Sequence, residues 1–317
     1  MQRTSLRPEA RAARDFLAIE GLPLDELRAL LARAEELLPV AVGDARGERT
    51  LEGRVVANIF FEDSTRTRVS FEIAADRLGA AVVNLGASGS SASKGETLVD
   101  TARNIDAMGV DAIVVRTSIS GGAALVARHV GCPVINAGDG RHEHPTQALL
   151  DALALRLRLG KLDGRRVAIV GDIANSRVAR SATHALVALG AHVHIVGPPS
   201  LVPVGFAQIA SGAGSISITH DLDSIIHDLD AIMMLRIQME RAAASGIAPD
   251  YRAAYGLTSA RRARLRPEAI LLHPGPVNRG LEIDDEVADD PRSSVILAQV
   301  SCGVAARMAV LLRAMPS

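Results

Sequence analysis

Short apolar runs alternate with helical patterns through most of this 317-residue chain. In the first half, the predicted strands lie at 54–61, 80–85, 111–116 and 132–136, and the predicted helices between them at 66–78, 96–108 and 121–129. This alternation is typical of an α/β domain built on a parallel sheet. Ligands of such sheets bind beyond the carboxyl ends of the strands, so the residues that follow each strand are the functional candidates.

The alternation restarts after Gly164. Here the predicted strands lie at 167–170, 192–196, 215–219, 231–235 and 269–273, a helix ends near Leu189, and a last apolar helix runs from Ser293 to Met315. A chain of this length is also long for one core. We therefore expect an α/β protein of two domains, each with a central parallel sheet flanked by helices, and an active site in the cleft between them. The expected limits are 1–145 with the C-terminal helix 292–317, and 146–291.

Composition excludes several classes of function. A net charge of −1 with 22% charged residues gives no overall field to attract nucleic acid or an acidic membrane. There is no Trp, and aromatic residues make up 2%, so the stacking platforms of single-strand binders are missing. No uninterrupted apolar run reaches the roughly 18 residues that a membrane span needs. We expect a protein that binds neither nucleic acid nor membranes.

The N-terminus and the cysteines indicate the compartment. Residues 1–20 mix arginines with acids and lack the apolar segment of a secretory signal, so we expect a cytoplasmic protein. Cys132 and Cys302 stand in apolar surroundings without CxxC spacing, which argues against a disulfide framework or a zinc site. We expect no metal.

The segment Ser64-Thr65-Arg66-Thr67-Arg68 follows the first strand directly. Ser64 can cap a helix whose apolar stripe includes Val69, Ile73 and Leu78. The N–H groups and dipole of a helix N-terminus favour an anion, and hydroxyls and guanidinium groups add donors for phosphate oxygens. The alternative is an ordinary helix cap followed by solvated arginines. Two arginines in one turn repel each other unless an anion or a carboxylate is near, which favours the anion site.

Other candidates follow other strands. Arg116 and Thr117 end the third strand, and the loop from Asn136 to His144 precedes Pro145 at the start of a long helix. His144 can donate a hydrogen bond to a carbonyl oxygen, although a solvated loop histidine remains an alternative. His142 and His144 lack an evident third metal ligand. By composition alone, the Gly86 to Gly95 loop is a flexible linker.

In the second half, the turn after strand 167–170 lacks GxGxxG, which argues against a dinucleotide site. Arg177 in the first helical turn beyond that strand can hold a carboxylate. Arg236 and Gln238 follow another strand on the same side of an extended chain, unless Arg236 simply pairs with Glu240. The loop His273-Pro274-Gly275-Pro276 is rigid, and Gly275 allows a ligand to come close.

Two of these segments, Ser64 to Arg68 and His144-Pro145-Thr146-Gln147, are similar to the carbamoyl phosphate signatures of the aspartate/ornithine carbamoyltransferases. The resemblance covers nearly the whole chain. Three further segments resemble the aspartate branch of that family: Lys94-Gly95-Glu96-Thr97, residues 236–241, and residues 273–276 with Arg279-Gly280. Ornithine enzymes typically have His-Cys-Leu-Pro in place of His273-Pro274-Gly275-Pro276. Some relatives carry a bulkier residue at Gly275, where only backbone groups are thought to act.

The resemblance implies a role for each candidate. Carbamoyl phosphate would be bound by Ser64, Thr65, Arg66, Thr67, Arg116, His144 and Gln147, together with Ser90 and Lys94. Catalysis would rest on Arg66, Thr67, Arg116, His144 and Lys94, with Thr67, Arg116 and His144 polarising the carbonyl oxygen. Aspartate would be bound by Lys94, Arg177, Arg236, Gln238, Gly275 and Pro276. In the family, the serine and lysine of the flexible loop reach a neighbouring subunit, which implies a homotrimer with shared sites.

The implied reaction transfers the carbamoyl group from carbamoyl phosphate to the amine of L-aspartate, without a cofactor, in an early step of pyrimidine synthesis. The paired Arg177 and Arg236 suit a dicarboxylate and would repel ornithine. Two alternatives stay open. One is a carbamoyltransferase for ornithine or an acylated ornithine, and the other is a non-catalytic scaffold subunit of a pyrimidine enzyme complex. A regulatory chain or a dihydroorotase-like enzyme could be a further partner.

Overall fold

The computed structural model describes residues 14–86, 96–237 and 251–316. The chain forms two compact units, one from residues 1–149 and 300–317 and the other from 150–299. Both boundaries fall inside long helices, Pro145–Leu159 and Ile296–Ala314. The limits 145/146 and 291/292 stay a prediction from sequence.

Unit 1 is built around a parallel sheet of strands β1 to β4, in the spatial order β2-β1-β3-β4. The strands are β1 Val55–Phe60, β2 Ala81–Gly86, β3 Ala112–Thr117 and β4 Val134–Asp139. The helices are α1 Leu24–Val42, α2 Thr65–Arg77, α3 Leu98–Ala107, α4 Gly122–Ala127 and the first part of α5 Pro145–Leu159, with most of the C-terminal helix Ile296–Ala314. Because all four strands run in parallel, their carboxyl ends lie at one edge of the sheet.

The chain before α1 extends this sheet beside β4. Phe16 forms a parallel bridge with Ile135, and hydrogen bonds join the Phe16 N–H to the Val134 carbonyl (2.9 Å) and the Asn136 N–H to the Phe16 carbonyl (2.9 Å). The Phe16 side chain is 1% exposed. This short segment therefore covers an edge of the sheet, a contact that helix and strand periodicity does not reveal.

Unit 2 is built around a second parallel sheet, in the order β7-β6-β5-β8-β9. The strands are β5 Arg166–Val170, β6 His192–Val196, β7 Ser215–Thr219, β8 Ala231–Met234 and β9 Ile270–Leu272. The helices are the rest of α5, α6 Arg177–Ala188, α7 Tyr251–Tyr255, α8 Ser259–Arg262, α9 Asp285–Ala288 and the start of α10 Ile296–Ala314. The central strands are buried on both faces, as expected for a parallel sheet covered by other elements. The predicted fold class, with parallel sheets flanked by helices, is confirmed.

Two local predictions were wrong. Val69 and Ile73 of α2 are 39% and 40% exposed, so they do not form its buried stripe. That helix instead buries Thr67, Ser70, Phe71, Ala74 and Ala75, mostly small residues that allow close packing. Strand β4 was expected to end at residue 136 and continues to Asp139, because Asp139 pairs with Thr117 beyond a register shift in β3.

Helix α10 is long and apolar enough, by length and composition, to cross a membrane. However, 61% of this segment is buried inside the protein. Its Arg307 is 3% exposed, and the guanidinium carbon lies 5.2 Å from the centre of the Phe71 ring. Core helices of globular proteins pass the same test of length and composition, and the burial of α10 is that of a core helix.

Candidate active site

The predicted anion site lies where β1 passes into α2. Ser64 is the N-cap residue of α2, with extended backbone angles, and its side chain makes no capping hydrogen bond. Ser64 is half-buried, Thr65 and Arg66 are exposed, and Thr67 is 6% exposed. A helix N-terminus flanked by hydroxyl groups and a guanidinium group can bind a phosphate.

The two arginines of this segment have different surroundings. The Arg68 side chain lies 3.6 Å from the Glu72 carboxylate one turn later on α2. Among the residues that the structure describes, Arg66 forms no ion pair or hydrogen bond. A carboxylate of the chain thus stands near one arginine of the predicted pair, and the other is available to an anion.

Arg116 is held at the carboxyl ends of two neighbouring strands. It lies in β3 opposite Phe60 of β1, and its side chain is 12% exposed. Its Nη2 donates to Glu62 Oε1 at 2.7 Å and its Nη1 donates to the Ala137 carbonyl at 3.2 Å. These contacts hold the guanidinium group, already paired with one carboxylate, in a partly desolvated position at the strand ends, where hydrogen bonds to an anion are stronger than in water.

The backbone at His144 is positioned by a network of buried polar groups. His144 is 4% exposed, and its carbonyl accepts the N–H groups of Gln147 (2.9 Å) and Ala148 (3.2 Å) at the start of α5. The loop before it is closed by Asp139, which accepts from the Glu143 N–H at 3.0 Å and the Asn136 amide at 2.9 Å. The solvated-histidine alternative does not fit this burial.

The other side of the same loop is fixed by Glu143, which is 1% exposed. Its carboxylate oxygens accept the N–H groups of Ile19 and Glu20, each at 2.9 Å. Gln147 is 8% exposed in the first turn of α5. Arg66, Thr67, Arg116, His144 and Gln147 thus all lie in unit 1, in segments at or just after the carboxyl ends of the adjacent strands β1, β3 and β4.

The arginines of unit 2 follow two adjacent strands. Arg177 begins α6 after the loop that follows β5, and Arg236 lies two residues beyond β8, which pairs directly with β5. Ser176 caps α6 by accepting the Ala179 N–H at 3.0 Å. Both arginines are half-buried and belong to the same edge of the sheet. Two guanidinium groups on neighbouring strand ends suit a ligand with two carboxylates.

The loop after β9 has the predicted proline-rich turn. Gly275 has a φ of +65°, in the left-handed region that favours glycine, so a bulkier residue here would be strained. The Gly275 N–H donates to His273 Nδ1 at 2.8 Å, and Pro276 is exposed. Ser90, Lys94 and Gln238 lie outside the described residues, and their predicted roles stay predictions.

Sequence reasoning missed three buried carboxylates that hold these segments: Glu143, Asp139 and Glu282. Glu282 is 0% exposed and accepts from the Ile237 N–H at 2.7 Å, next to Arg236. The sequence offered no distinctive signal: Glu282 stands between two apolar residues, Glu143 between two histidines and Asp139 between two glycines. Glu143 and Glu282 bind backbone groups distant in sequence, and Asp139 binds groups of its own loop; periodicity reports neither kind of contact.

One group of side chains among the described residues has the spacing of metal ligands: Glu20, His142 and Glu143. Both Glu143 oxygens already accept backbone N–H groups, and the His142 Nδ1 lies 3.1 Å from Asp139. These bonds explain the cluster without an ion, so we assign no metal to it.

Comparison with known protein families assigns both halves of the chain. Residues 14–157 match the model described as the carbamoyl-P binding domain of aspartate/ornithine carbamoyltransferase, and residues 163–314 match its Asp/Orn binding domain. The chain belongs to the aspartate/ornithine carbamoyltransferase family. The resemblance predicted from the two signature segments is thereby confirmed.

Curated relatives carry the name of the aspartate branch. The chain is 54% identical to an aspartate carbamoyltransferase catalytic subunit from Myxococcus xanthus, over 94% of this chain and 98% of that one. It is 51% identical to a protein of the same name from Rhodospirillum rubrum, over 94% and 92% of the two chains.

Solved structures of both branches share the fold. An aspartate transcarbamoylase from Trypanosoma cruzi, in complex with carbamoyl aspartate and phosphate, matches with a TM-score of 0.83 and 32% identity over 94% of this chain and 95% of that one. The ornithine carbamoyltransferase from Pyrococcus furiosus matches with a TM-score of 0.84 and 31% identity over 95% and 96%. Fold similarity alone therefore does not choose between aspartate and ornithine.

Proposed function

We propose that this chain is a catalytic chain that transfers the carbamoyl group of carbamoyl phosphate to the amine of L-aspartate, releasing phosphate and N-carbamoyl-L-aspartate. The observation that carries the choice of amino acid is the placement of Arg177 and Arg236 after the adjacent strands β5 and β8. A pocket with two guanidinium groups favours a dicarboxylate and disfavours the cationic side chain of ornithine. The name shared by the relatives that are 51 to 54% identical supports the same choice.

In this reaction the residues of unit 1 bind carbamoyl phosphate. The phosphate is received by the N-terminus of α2 with Ser64, Thr65, Arg66 and Thr67. The carbonyl oxygen accepts hydrogen bonds from Thr67, Arg116 and His144, and the carboxamide of Gln147 holds the carbamoyl NH₂ group. Held in this way, the reactant needs little rearrangement to reach the transition state.

The amine of aspartate attacks the carbonyl carbon. As the C–N bond forms, the carbonyl electron pair moves to the oxygen and gives a tetrahedral oxyanion, which the donors of unit 1 stabilise. Collapse of this intermediate breaks the bond to the phosphate oxygen, and phosphate leaves. The proton lost by the amine passes to the departing phosphate. Arg177 holds the α-carboxylate, Arg236 with Gln238 holds the β-carboxylate, and the backbone of Gly275 and Pro276 completes the aspartate site.

We also propose that the protein works in the cytoplasm as a homotrimer in which Ser90 and Lys94 complete the site of a neighbouring subunit. The exposed apolar side chains of α2 and β2 support this assembly: Val69, Ile73 and Val83 are 39 to 45% exposed. Contact with a second copy would remove this apolar surface from water. A regulatory chain or a dihydroorotase-like enzyme is a further proposed partner.

The test of the amino-acid assignment is Arg236→Ala, with Arg264→Ala as its control. Arg264 is an arginine of the same unit, but it is bound to Asp223 on the surface. Loss of one charge-assisted contact should raise the KM for aspartate by about tenfold or more. The control should keep the wild-type KM. An unchanged KM in Arg236→Ala would refute the assignment of this residue.

A further inference from the structure

Glu282 is a carboxylate buried in unit 2 with 0% exposure, and the roles proposed above do not use it. Its Oε1 accepts the Ile237 N–H at 2.7 Å and the Asn278 Nδ2 at 2.7 Å. Its Oε2 accepts the Asn278 N–H at 2.7 Å. A buried carboxylate is costly unless its oxygens are satisfied, and here three short hydrogen bonds offset that cost.

Hydrogen bonds fix the backbone on either side of Arg236, and Glu282 makes those on one side. Before it, the Leu235 N–H donates to the Val170 carbonyl at 2.8 Å, which is the last sheet bond at the end of β8. After it, the Ile237 N–H donates to Glu282, and the Ile237 carbonyl accepts from Asn278 Nδ2 at 3.0 Å. Arg236 therefore leaves the sheet between two anchored residues, and Glu282 provides the second anchor.

The same carboxylate faces the proline-rich loop after β9. His273 is buried, and its Nδ1 accepts the Gly275 N–H at 2.8 Å, so a neutral ring carries its proton on Nε2. That Nε2 lies 3.8 Å from Glu282 Oε2. Glu282 is thus linked by hydrogen bonds to the Arg236 segment and to Asn278, and lies beside the histidine that supports the Gly275 turn.

We propose that Glu282 is a positioning residue that sets Arg236 and the Gly275–Pro276 turn in the arrangement that recognises the side-chain carboxylate of a dicarboxylic amino acid. This inference rests on the proposed function. Glu282 has no exposed surface with which to contact a substrate. It acts through the backbone of Ile237 and Asn278. If the end of the strand were not anchored, substrate binding would have to order Arg236, and this loss of conformational entropy would weaken the binding of the substrate.

The experiment compares Glu282→Gln with Asp230→Asn in the full-length protein. Asp230 is a matched control because it is a buried carboxylate that fixes the other end of β8. It is 6% exposed and accepts the Arg166 N–H at 2.8 Å and the Arg165 and Arg266 side chains, each at 3.2 Å. Both variants exchange a buried carboxylate for an amide of nearly the same shape, so both lower stability.

Steady-state kinetics with each substrate separates positioning from stability. In Glu282→Gln, the NH₂ group of the new amide must face a backbone or side-chain donor, which costs one hydrogen bond. We therefore expect the KM for aspartate to rise about tenfold and the KM for carbamoyl phosphate to change by less than about twofold. In Asp230→Asn, both KM values should remain within about twofold of wild type. Asn278→Ala removes the side-chain link to Ile237 and Glu282 and should raise the KM for aspartate in the same direction.

The outcomes distinguish this inference from the function on which it rests. Transfer to aspartate by the wild type, with an unchanged aspartate KM in both Glu282→Gln and Asn278→Ala, overturns the positioning role and leaves the function intact. An equal rise of the KM for both substrates in Glu282→Gln also overturns the positioning role. So does a rise of the aspartate KM in Asp230→Asn that equals the rise in Glu282→Gln. If Glu282→Gln is not recovered folded, Asn278→Ala decides. No transfer to aspartate by the wild type refutes the function itself.

Discussion

Arg66 and Arg68 lie two residues apart on the first turn of α2, and their surroundings differ. Arg68 has the Glu72 carboxylate 3.6 Å away, whereas Arg66 has no ion pair among the described residues. The cost of placing two like charges together is thus reduced for one of them by the protein itself. The other retains its charge for a ligand, which is how a phosphate can be bound by a chain with a net charge of −1.

We predict that Arg66→Ala lowers kcat/KM for carbamoyl phosphate by about 100-fold, because a charge-assisted contact to the transferring group is lost. Arg68→Ala, the matched control on the same helix, should lower it by less than about tenfold. Initial rates at varied carbamoyl phosphate measure both values. Equal losses in the two variants would contradict the distinction drawn between these arginines.

His194 on β6 gives a pH dependence of stability. Its Nδ1 lies 2.8 Å from the Ser217 hydroxyl oxygen, and its Nε2 is buried without a hydrogen-bond partner among the described residues. Burial lowers the pKa of His194, and the neighbouring charges of Arg166 and His192 lower it further, against the opposing effect of Asp228. The folded protein therefore takes up a proton at His194 less readily than the unfolded chain does.

The sign of the effect follows from this difference. Well above the ordinary pKa of 6.5, His194 is neutral in both states and its contribution to stability is fully present. As the pH falls from there through the lower pKa of the folded state, the unfolded chain binds more protons and the free energy of unfolding decreases. We predict that His194→Gln flattens this decrease, as measured by denaturant unfolding between pH 7 and 5. A slope that is the same in both proteins would exclude His194 as its source.

At the scale of elements, the loop between β4 and α5 depends on the chain before α1. That segment pairs with β4 through Phe16, and the N–H groups of Ile19 and Glu20 bind the Glu143 carboxylate. Glu143 immediately precedes His144. The histidine is therefore held by the helix that it begins and, through its neighbour, by a segment more than a hundred residues earlier.

We predict that Glu143→Gln lowers kcat by about tenfold, because an amide cannot accept both N–H groups and the position of His144 becomes less defined. The control is Glu20→Ala, which removes an exposed side chain and keeps the Glu20 N–H. The turnover number at saturating concentrations of both substrates is the measurement. Wild-type kcat in Glu143→Gln would show that His144 does not depend on this anchor.

Periodicity predicted the strands and the long helices, because each strand is a short run rich in apolar residues and each long helix has a regular apolar spacing, but it did not predict the short helices α7 to α9. It also predicted which strand ends carry Arg66, Arg116, Arg177 and Arg236, since a parallel sheet places carboxyl ends together. It failed for the buried face of α2, where Thr67, Ser70 and two alanines pack inward while Val69 and Ile73 stay exposed. Close packing of small residues is a tertiary effect that local hydrophobicity does not encode.

The anchoring carboxylates were not predictable for a related reason. Glu143 binds residues more than 120 positions away, and Glu282 binds Ile237 at a separation of 45. In the sequence each is an ordinary acid, and only the fold shows that it is buried with satisfied oxygens. Sequence thus identified side chains that can meet a substrate and missed the side chains that hold them.

At the scale of the whole molecule, the proposed binding and catalytic residues are distributed over the two units of the chain. We also propose that each site takes residues from two subunits. The proposed donors to carbamoyl phosphate lie in unit 1, and Arg177 and Arg236 lie in unit 2. Ser90 and Lys94 are proposed to serve a neighbouring chain.

Sharing of residues between subunits predicts complementation. Lys94→Ala and Arg66→Ala chains, each with little activity alone, should regain activity when they are mixed, dissociated and reassembled, because some sites then contain neither substitution. Random assembly of the two chains into trimers gives the expected fraction of sites without a substitution. The measurement is the activity as a function of the mixing ratio. Absence of recovery at every ratio would argue that each chain holds a complete site.

The central claim is that this family member carbamoylates aspartate, and a competition assay tests it most directly. Purified protein is given carbamoyl phosphate with equal concentrations of L-aspartate and L-ornithine, and the products are identified by mass spectrometry. We predict N-carbamoyl-L-aspartate and phosphate in equal amounts, with no carbamoylated ornithine. Carbamoylated ornithine as the main product would contradict the roles of Arg177 and Arg236, and binding of carbamoyl phosphate without any product would indicate the scaffold alternative.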